Sequence, residues 1–292
     1  MGYGSYSASD WKKLKESRQL NRGQSVEEVF TRRSCDPKFD PRYIGTRECF
    51  DSADHPNTTP IVVGLDVTAS MGYLAVEVAT GALNELITKL YSTGAVEDPS
   101  LMCAAYGDFK DVSPLQVTQF ESDIRIAQQL LEIYFESHGN GDVVPTCLWE
   151  FLARHTNIDA IKKRNKKGFV FTIGDDAAIR ADSIDETINR VIGDVTSYGS
   201  REMVLREVQE KFYVFHIMIG RGNSKNSELL PGHTISIGRG DITKIPEIII
   251  SIIQMQNGKQ LDEVLEQWDE LDRPTIRTAV EQVLLLDCGI QL

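Results

Sequence analysis

Asp66, Thr68 and Ser70 stand at alternate positions in Asp66-Val67-Thr68-Ala69-Ser70-Met71-Gly72, directly after the apolar run Pro60-Ile61-Val62-Val63-Gly64-Leu65. A tight turn aims such side chains at one point. One carboxylate and two hydroxyls are hard oxygen donors, a set that suits Mg2+, Ca2+ or Mn2+ over softer metals. Acidic residues recur at comparable places further along. Asp175, with Asp176 beside it, follows the apolar run Gly168–Gly174, and Asp108 follows Ser100–Tyr106. Asp142 and Thr146 sit in a loop ahead of an apolar helical stretch. Helix capping is the competing account of Asp66-Thr68-Ser70, because Ser, Thr and Asp after a strand often do no more than satisfy the next helix's amides. Capping leaves the later acidic loops unexplained, so the balance favours a cation site.

The elements that must position these residues read as an alternating α/β order. Pro60–Leu65 has the continuous apolar pattern of a strand buried on both faces of a parallel sheet. From Gly72 to about Thr93 apolar residues recur at helical spacing (Leu74, Val78, Leu83, Leu86, Ile87, Leu90), and Ser100–Tyr106 is a second apolar strand, giving a βαβ unit. Pro114–Glu121 is expected as an antiparallel strand beside it. Helices are expected over Ile124–Ser137, Pro145–His155, Ser183–Val195, Arg201–Glu210 and Ile245–Gln256, and strands over Gly168–Gly174, Phe212–Ile219 and Thr234–Ile237. Residues 1–58 read as a polar N-terminal extension with a helix over Asp10–Arg18 and a capping box at Ser25–Glu28. Residues 59–256 form the core. Residues 257–292 carry two amphipathic helices, Leu261–Leu271 and Thr275–Leu286, packed on it. The fold class is α/β: a doubly wound, mostly parallel sheet with one antiparallel edge strand. In such sheets ligands bind beyond the carboxyl ends of the strands, where the strand order reverses, and that is where the acidic residues fall.

With its strand before and helix after, the segment Asp66–Gly72 resembles the D-x-S-x-S metal-ion-dependent adhesion site of von Willebrand factor A domains, Thr68 replacing the first serine and keeping its hydroxyl. The resemblance covers roughly Pro60 to Gln256. It implies direct metal contact from Thr68 and Ser70, with Asp66 acting through water. It also implies an aspartate after the next central strand, which Asp175 matches, with Asp176 as a neighbour. The family's third element is a threonine in a loop before a helix. Here Asp142 takes the equivalent place, and Thr146 is the alternative source of a hydroxyl. A carboxylate at that position would make the metal a poorer electrophile toward a partner's carboxylate. Asp108 is expected behind the ligands. The implied function is a metal-dependent protein-interaction module, not an enzyme, of the intracellular type found in bacterial or phage multi-protein systems. Its partner is a protein offering a carboxylate, an ATPase or kinase component being one kind.

Two other function classes stay open. A haloacid-dehalogenase-like phosphatase also places Asp after an apolar strand, but its chemistry needs a second acid two residues on, and Thr68 stands there. An assembly subunit with a degenerate metal site is the other. A dinucleotide fold is disfavoured because no G-x-G-x-x-G follows the first strand; Gly220-Arg221-Gly222 and Gly238-Arg239-Gly240 read as strand-end turns. The net charge of −12 and pI near 5.0 argue against a phosphate-tracking surface, hence against nucleic acid. The basic run Lys162–Lys167 reads as a solvated connector. Cys35, Cys49, Cys103, Cys147 and Cys288 are scattered without CxxC spacing, which points to reduced thiols instead of disulfides or zinc. With no apolar segment long enough to span a bilayer, the expected location is cytoplasmic and off the membrane. The five histidines do not cluster; His216, inside an apolar strand, reads as a core residue and His138 as part of a surface loop.

Overall fold

The computed structural model describes residues 4–21, 23–136, 143–175, 184–220 and 230–283. The strands are β1 (Arg47–Cys49), β2 (Thr58–Asp66), β3 (Asp98–Tyr106), β4 (Leu115–Val117), β5 (Thr156–Ile158), β6 (Gly168–Gly174), β7 (Phe212–Ile219) and β8 (Thr234–Ile237). The helices are α1 (Ala8–Arg18), α2 (Val26–Val29), α3 (Gly72–Glu77), α4 (Leu83–Thr93), α5 (Arg125–Leu130), α6 (Pro145–Arg154), α7 (Asp159–Arg164), α8 (Ile184–Val191), α9 (Arg201–Gln209), α10 (Ile245–Gln256), α11 (Leu261–Glu266) and α12 (Arg273–Val280).

Six strands form one sheet in the order β4-β3-β2-β6-β7-β8, parallel except for β4 against β3. The chain leaves β2 toward β3 on one side and later enters β6 on the other, which is the reversal of a doubly wound sheet. Alternation along β2 sorts its side chains between two apolar layers. Ile61, Val63 and Leu65 join Leu74, Leu83, Ile87 and Ile248 from α3, α4 and α10. Val62 joins Met102, Tyr106 and Val170 with Leu148, Phe151 and Leu152 of α6. Gly64 has no side chain because α6 lies against it: an added Cβ would stand 2.6 Å from Leu148 Cδ2.

The expected sheet is therefore present, and the departures are local. The helix expected over Gly72–Thr93 contains a π-turn at Val78–Ala82. There Thr80 Oγ1 donates to the Val76 carbonyl at 2.8 Å, and Gly81 adds no propensity against the widening. The helix expected over Ile124–Ser137 stops at Leu130, because the following backbone is tied to the β4 region. The Tyr134 amide donates to Gln116 Oε1 at 3.0 Å, and the Glu136 carboxylate accepts the amides of Val112 and Ser113 at 2.9 and 3.1 Å. The strand expected over Pro114–Glu121 shrinks to β4, since the Thr118 hydroxyl takes the Cys103 amide. The extension also contributes β1, which pairs in parallel with β5 as a small second sheet. Val26 of α2 seats on Gly72, where a Cβ would come within 2.6 Å of Val26 Cγ2. The extension thus packs on the turn that carries Asp66, Thr68 and Ser70.

Candidate metal centre

At the carboxyl edge β2 ends on Asp66, which is fully buried, and the chain turns on that side chain. Asp66 Oδ1 accepts the Thr68 amide at 2.8 Å and the Thr68 hydroxyl at 2.6 Å, a side-chain-built turn of the kind Asp favours. Thr68 Oγ1 lies 3.3 Å from Ser70 Oγ, and Ser70 Oγ donates to Asp175 Oδ1 at 3.2 Å. Residues 105 apart in sequence are thereby joined across the β2/β6 reversal. Gly174 permits the approach: a Cβ there would stand 2.9 Å from Asp66 Cβ and 3.1 Å from the Tyr106 hydroxyl. Tyr106 in turn donates to the Ile173 carbonyl at 3.0 Å, tying β3 to β6 over the end of β2.

This geometry decides against capping. Neither the 3-10 turn Ala69–Met71 nor α3 receives a side-chain cap. The hydroxyls of Thr68 and Ser70 turn their protons to carboxylates instead, which leaves oxygen lone pairs facing one another. Thr146, on the first turn of α6, is fully buried, and its Oγ1 has no hydrogen-bond partner among the described residues. A buried hydroxyl without a partner is costly, and a cation ligand is one way to satisfy it. Asp66, Thr68, Ser70 and Asp175 therefore fit a hard divalent cation by donor type, and the Thr146 hydroxyl is a further donor of the same type. Among the described residues no three His, Cys, Asp or Glu side chains converge as a metal cluster; here hydroxyls carry half of the set. Asp108 is fully buried beyond β3, where it accepts the Lys110 amide at 2.8 Å and pairs with Val143 in an isolated bridge. Asp142 and Asp176 lie outside the described residues, as do His138 and Cys288.

Two residues at this edge had no role in the sequence reading. Arg239, which begins the 3-10 turn after β8, places Nη2 3.6 Å from Asp175 Oδ2 and its guanidinium 5.5 Å from the centre of the Tyr73 ring. The Tyr73 phenol is pushed up, first by burial and then by the charges of Asp175 and Asp66, with Arg239 opposing. The Gly-Arg-Gly after the last strand was the only signal, and it reads equally as a turn.

The other polar candidates are structural. His216 is buried and pushed down to about 4 by burial, with Nδ1 2.9 Å from Thr172 Oγ1. Burial likewise raises the thiols of Cys49 to about 11 and Cys103 to about 12, which keeps them protonated and inert. In the basic run, Lys163 and Arg164 close the last turn of α7 and bind Asp51, and Asn165 ends it in the left-handed region. A cavity of about 550 Å3 lined by Arg164, Lys166, Lys167 and Tyr213 lies at the amino edge, away from Asp66. No helix among the described residues is long and apolar enough to cross a membrane.

No protein-family model matches the chain, and no curated protein matches it. Solved structures do. The pilus adhesin SpaC from Lactobacillus rhamnosus GG is similar at 12% identity and a TM-score of 0.48, over 72% of this chain and 32% of its own. Proximal thread matrix protein 1 from the mussel byssus, solved with a zinc-occupied MIDAS motif, is similar at 12% identity and 0.45, over 68% and 48%. A von Willebrand factor type A protein from Catenulispora acidiphila is similar at 14% identity and 0.41, over 70% and 44%. The chain spans a third to a half of the length of these structures. None reaches a TM-score of 0.5, and the site stands on this chain's own residues.

Proposed function

We propose that the chain is a metal-dependent protein-interaction module of the von Willebrand factor A kind, with Asp66, Thr68, Ser70 and Asp175 around a divalent cation, Mg2+ or else Ca2+ or Mn2+. The observation that carries this reading is the chain of contacts Asp66–Thr68–Ser70–Asp175, in which hydroxyls that would otherwise cap a helix bridge two carboxylates from different loops. When bound, the metal supplies a Lewis-acidic position for a carboxylate on a partner protein, an ATPase or kinase component being one candidate. The residues of this chain hold and orient it: Ser70 and Thr68 offer neutral oxygens, and Asp66 fixes Thr68 through two hydrogen bonds. A binding role is favoured over phosphatase chemistry because residue 68 is a hydroxyl donor to Asp66 and not an acid. A reducing, cytoplasmic setting, bacterial or phage, belongs to the same proposal. It is supported by free cysteines, Cys49, Cys103 and Cys147 among them buried, and a net charge of −12 speaks against nucleic acid as the partner.

Calorimetric titration of Mg2+, Ca2+ and Mn2+ into chelator-treated protein tests the site. Wild type is expected to bind one ion, and Ser70→Ala to lose at least about tenfold in affinity, the cost of one good charge-assisted contact. Thr146→Val decides the third position. If Thr146 is a ligand the variant binds more weakly yet folds as well as wild type, whereas unchanged affinity assigns that place to Asp142. Absence of binding by the wild type removes the metal reading.

A further inference from the structure

Among the described residues, two groups of opposite meaning hold Asp175. Ser70 donates to Oδ1 from within the candidate centre, while Arg239 stands 3.6 Å from Oδ2. Arg239 reaches this position from the far side of the sheet, across the end of β7. Gly220, at φ +83, turns the chain beneath its stem; glycine is favoured there by that backbone conformation and not by space, since a Cβ would meet Arg239 Nε at an ordinary 3.8 Å. The Tyr73 ring, from the first turn of α3, faces the guanidinium at 5.5 Å, a distance at which ring and cation attract. One arginine thus links residues that follow β2, β6 and β8 and places a fixed positive charge beside the carboxylate that a cation would use.

We infer that Arg239 is the internal competitor of the divalent cation: it neutralises Asp175 when the site holds no metal and sets the affinity of the site by having to yield when metal enters. The inference rests on the metal reading above. A divalent ion at Ser70 and Asp175 meets a unit positive charge within a few ångströms, and both compete for one carboxylate. The arginine side chain is 64% exposed, so the competition is moderate and screened by salt. It also predicts that the guanidinium leaves Asp175 and Tyr73 as the metal binds.

The experiment titrates Mn2+ and Mg2+ into the full chain by calorimetry at low ionic strength, comparing wild type, R239Q and the remote exposed-charge control K12Q. R239Q is expected to bind about five- to tenfold more tightly than wild type, K12Q within about twofold, and the gain of R239Q to shrink in 1 M salt. The Arg239 Nε–Hε NMR signal, identified by its loss in R239Q, is expected to move when Mg2+ is added to wild type. Metal binding that is equal or weaker in R239Q, or an Arg239 signal that stays in place, overturns the competitor role and leaves the metal site standing. If neither wild type nor R239Q binds metal, the metal reading fails and this inference fails with it. Binding by R239Q alone would make the competition strong enough to close the site.

Discussion

Asp51 and Asp175 are aspartates of similar exposure, 12% and 19%, at opposite edges of one sheet. Asp51 precedes β2 at the amino edge, and the chain finishes it. Arg164 donates to both of its oxygens at 2.7 and 3.0 Å, Lys163 adds a contact at 3.2 Å, and Thr58 gives its amide and hydroxyl. Burial alone would raise the Asp51 carboxyl, but the hydrogen bonds from Arg164, Thr58 and Lys163 hold it well below the usual carboxylate range. Among the described residues, Asp175 receives one hydroxyl at 3.2 Å and one arginine at 3.6 Å, the latter beyond hydrogen-bond range. The same residue type is locked by the fold at one edge and loosely held at the other. A carboxylate that folding has already satisfied has little left to offer a ligand, so the comparison locates function at the carboxyl edge.

The largest effect should come from breaking the amino edge. Arg164→Ala removes a bidentate partner and a donor to the Thr58 carbonyl, leaving Asp51 charged and largely buried with Lys163 and Thr58 as its remaining donors. The expected loss is about 2–3 kcal/mol at pH 7, below the range for fully buried pairs. Metal affinity should be untouched, because no residue of the candidate centre contacts Arg164. The pH dependence has a definite sign. A carboxyl held below its unfolded value of 3.8 contributes stability that is present above about pH 4 and drains away as pH falls through the folded value. Urea unfolding of wild type and variant should therefore converge in acid. A parallel offset down to pH 3 would show that Arg164 acts by packing and not by charge.

A smaller loss is expected at the carboxyl edge, where crowding and function meet. Gly174→Ala would put a methyl group 2.9 Å from Asp66 Cβ and 3.1 Å from the Tyr106 hydroxyl. Overpacking of this kind costs about 1–3 kcal/mol. Unlike Arg164→Ala, this variant should also lose metal binding, because Asp66 must shift and carries Thr68 with it. Calorimetry and urea unfolding on one preparation separate the cases. Normal metal affinity in a destabilised Gly174→Ala would break the comparison by uncoupling Asp66 from the site.

These relations differ in how far the sequence reveals them. The central strands announce themselves, because Pro60–Leu65 is apolar throughout, Gly168–Gly174 is broken only by Thr172, and each is followed by an acid, and a doubly wound sheet brings such ends together. The contact between Ser70 and Asp175 follows from that topology. Arg239 does not. Its place depends on β8 lying outside β7, so that a residue after the last strand folds back over the end of β6, and neither its own neighbours nor any periodicity encodes that. The three-residue strands β1 and β5 are too short to alternate, and their pairing depends on α6 delivering Thr156 beside Arg47. The π-turn in the helix after Gly72 is equally hidden, since Thr80 and Gly81 are ordinary residues until packing makes the wider turn worthwhile. Local pattern thus reveals elements and strand ends. Side chains arriving from distant elements come only with the tertiary structure.

The smallest effect is the most telling. Asp175→Asn keeps an oxygen to accept the Ser70 hydroxyl and removes only the charge that faces Arg239 at 3.6 Å. For a loosely held, screened pair this should change metal-free stability by no more than about 0.5 kcal/mol. Asp51→Asn, an identical chemical change at similar exposure, should cost more, because it strips the charge that Arg164 and Lys163 both engage. In metal the order reverses. Wild type and Asp51→Asn should gain about 2.7 kcal/mol at a hundredfold excess of metal over its dissociation constant, and Asp175→Asn should gain little. Four unfolding curves for each variant, with and without Mn2+ at two urea series, measure both quantities. A large metal-free loss from Asp175→Asn would mean that the fold depends on this carboxylate as it does on Asp51. The asymmetry between the edges would then be one of distance alone, and the case for a ligand at the carboxyl edge would lose its physical basis.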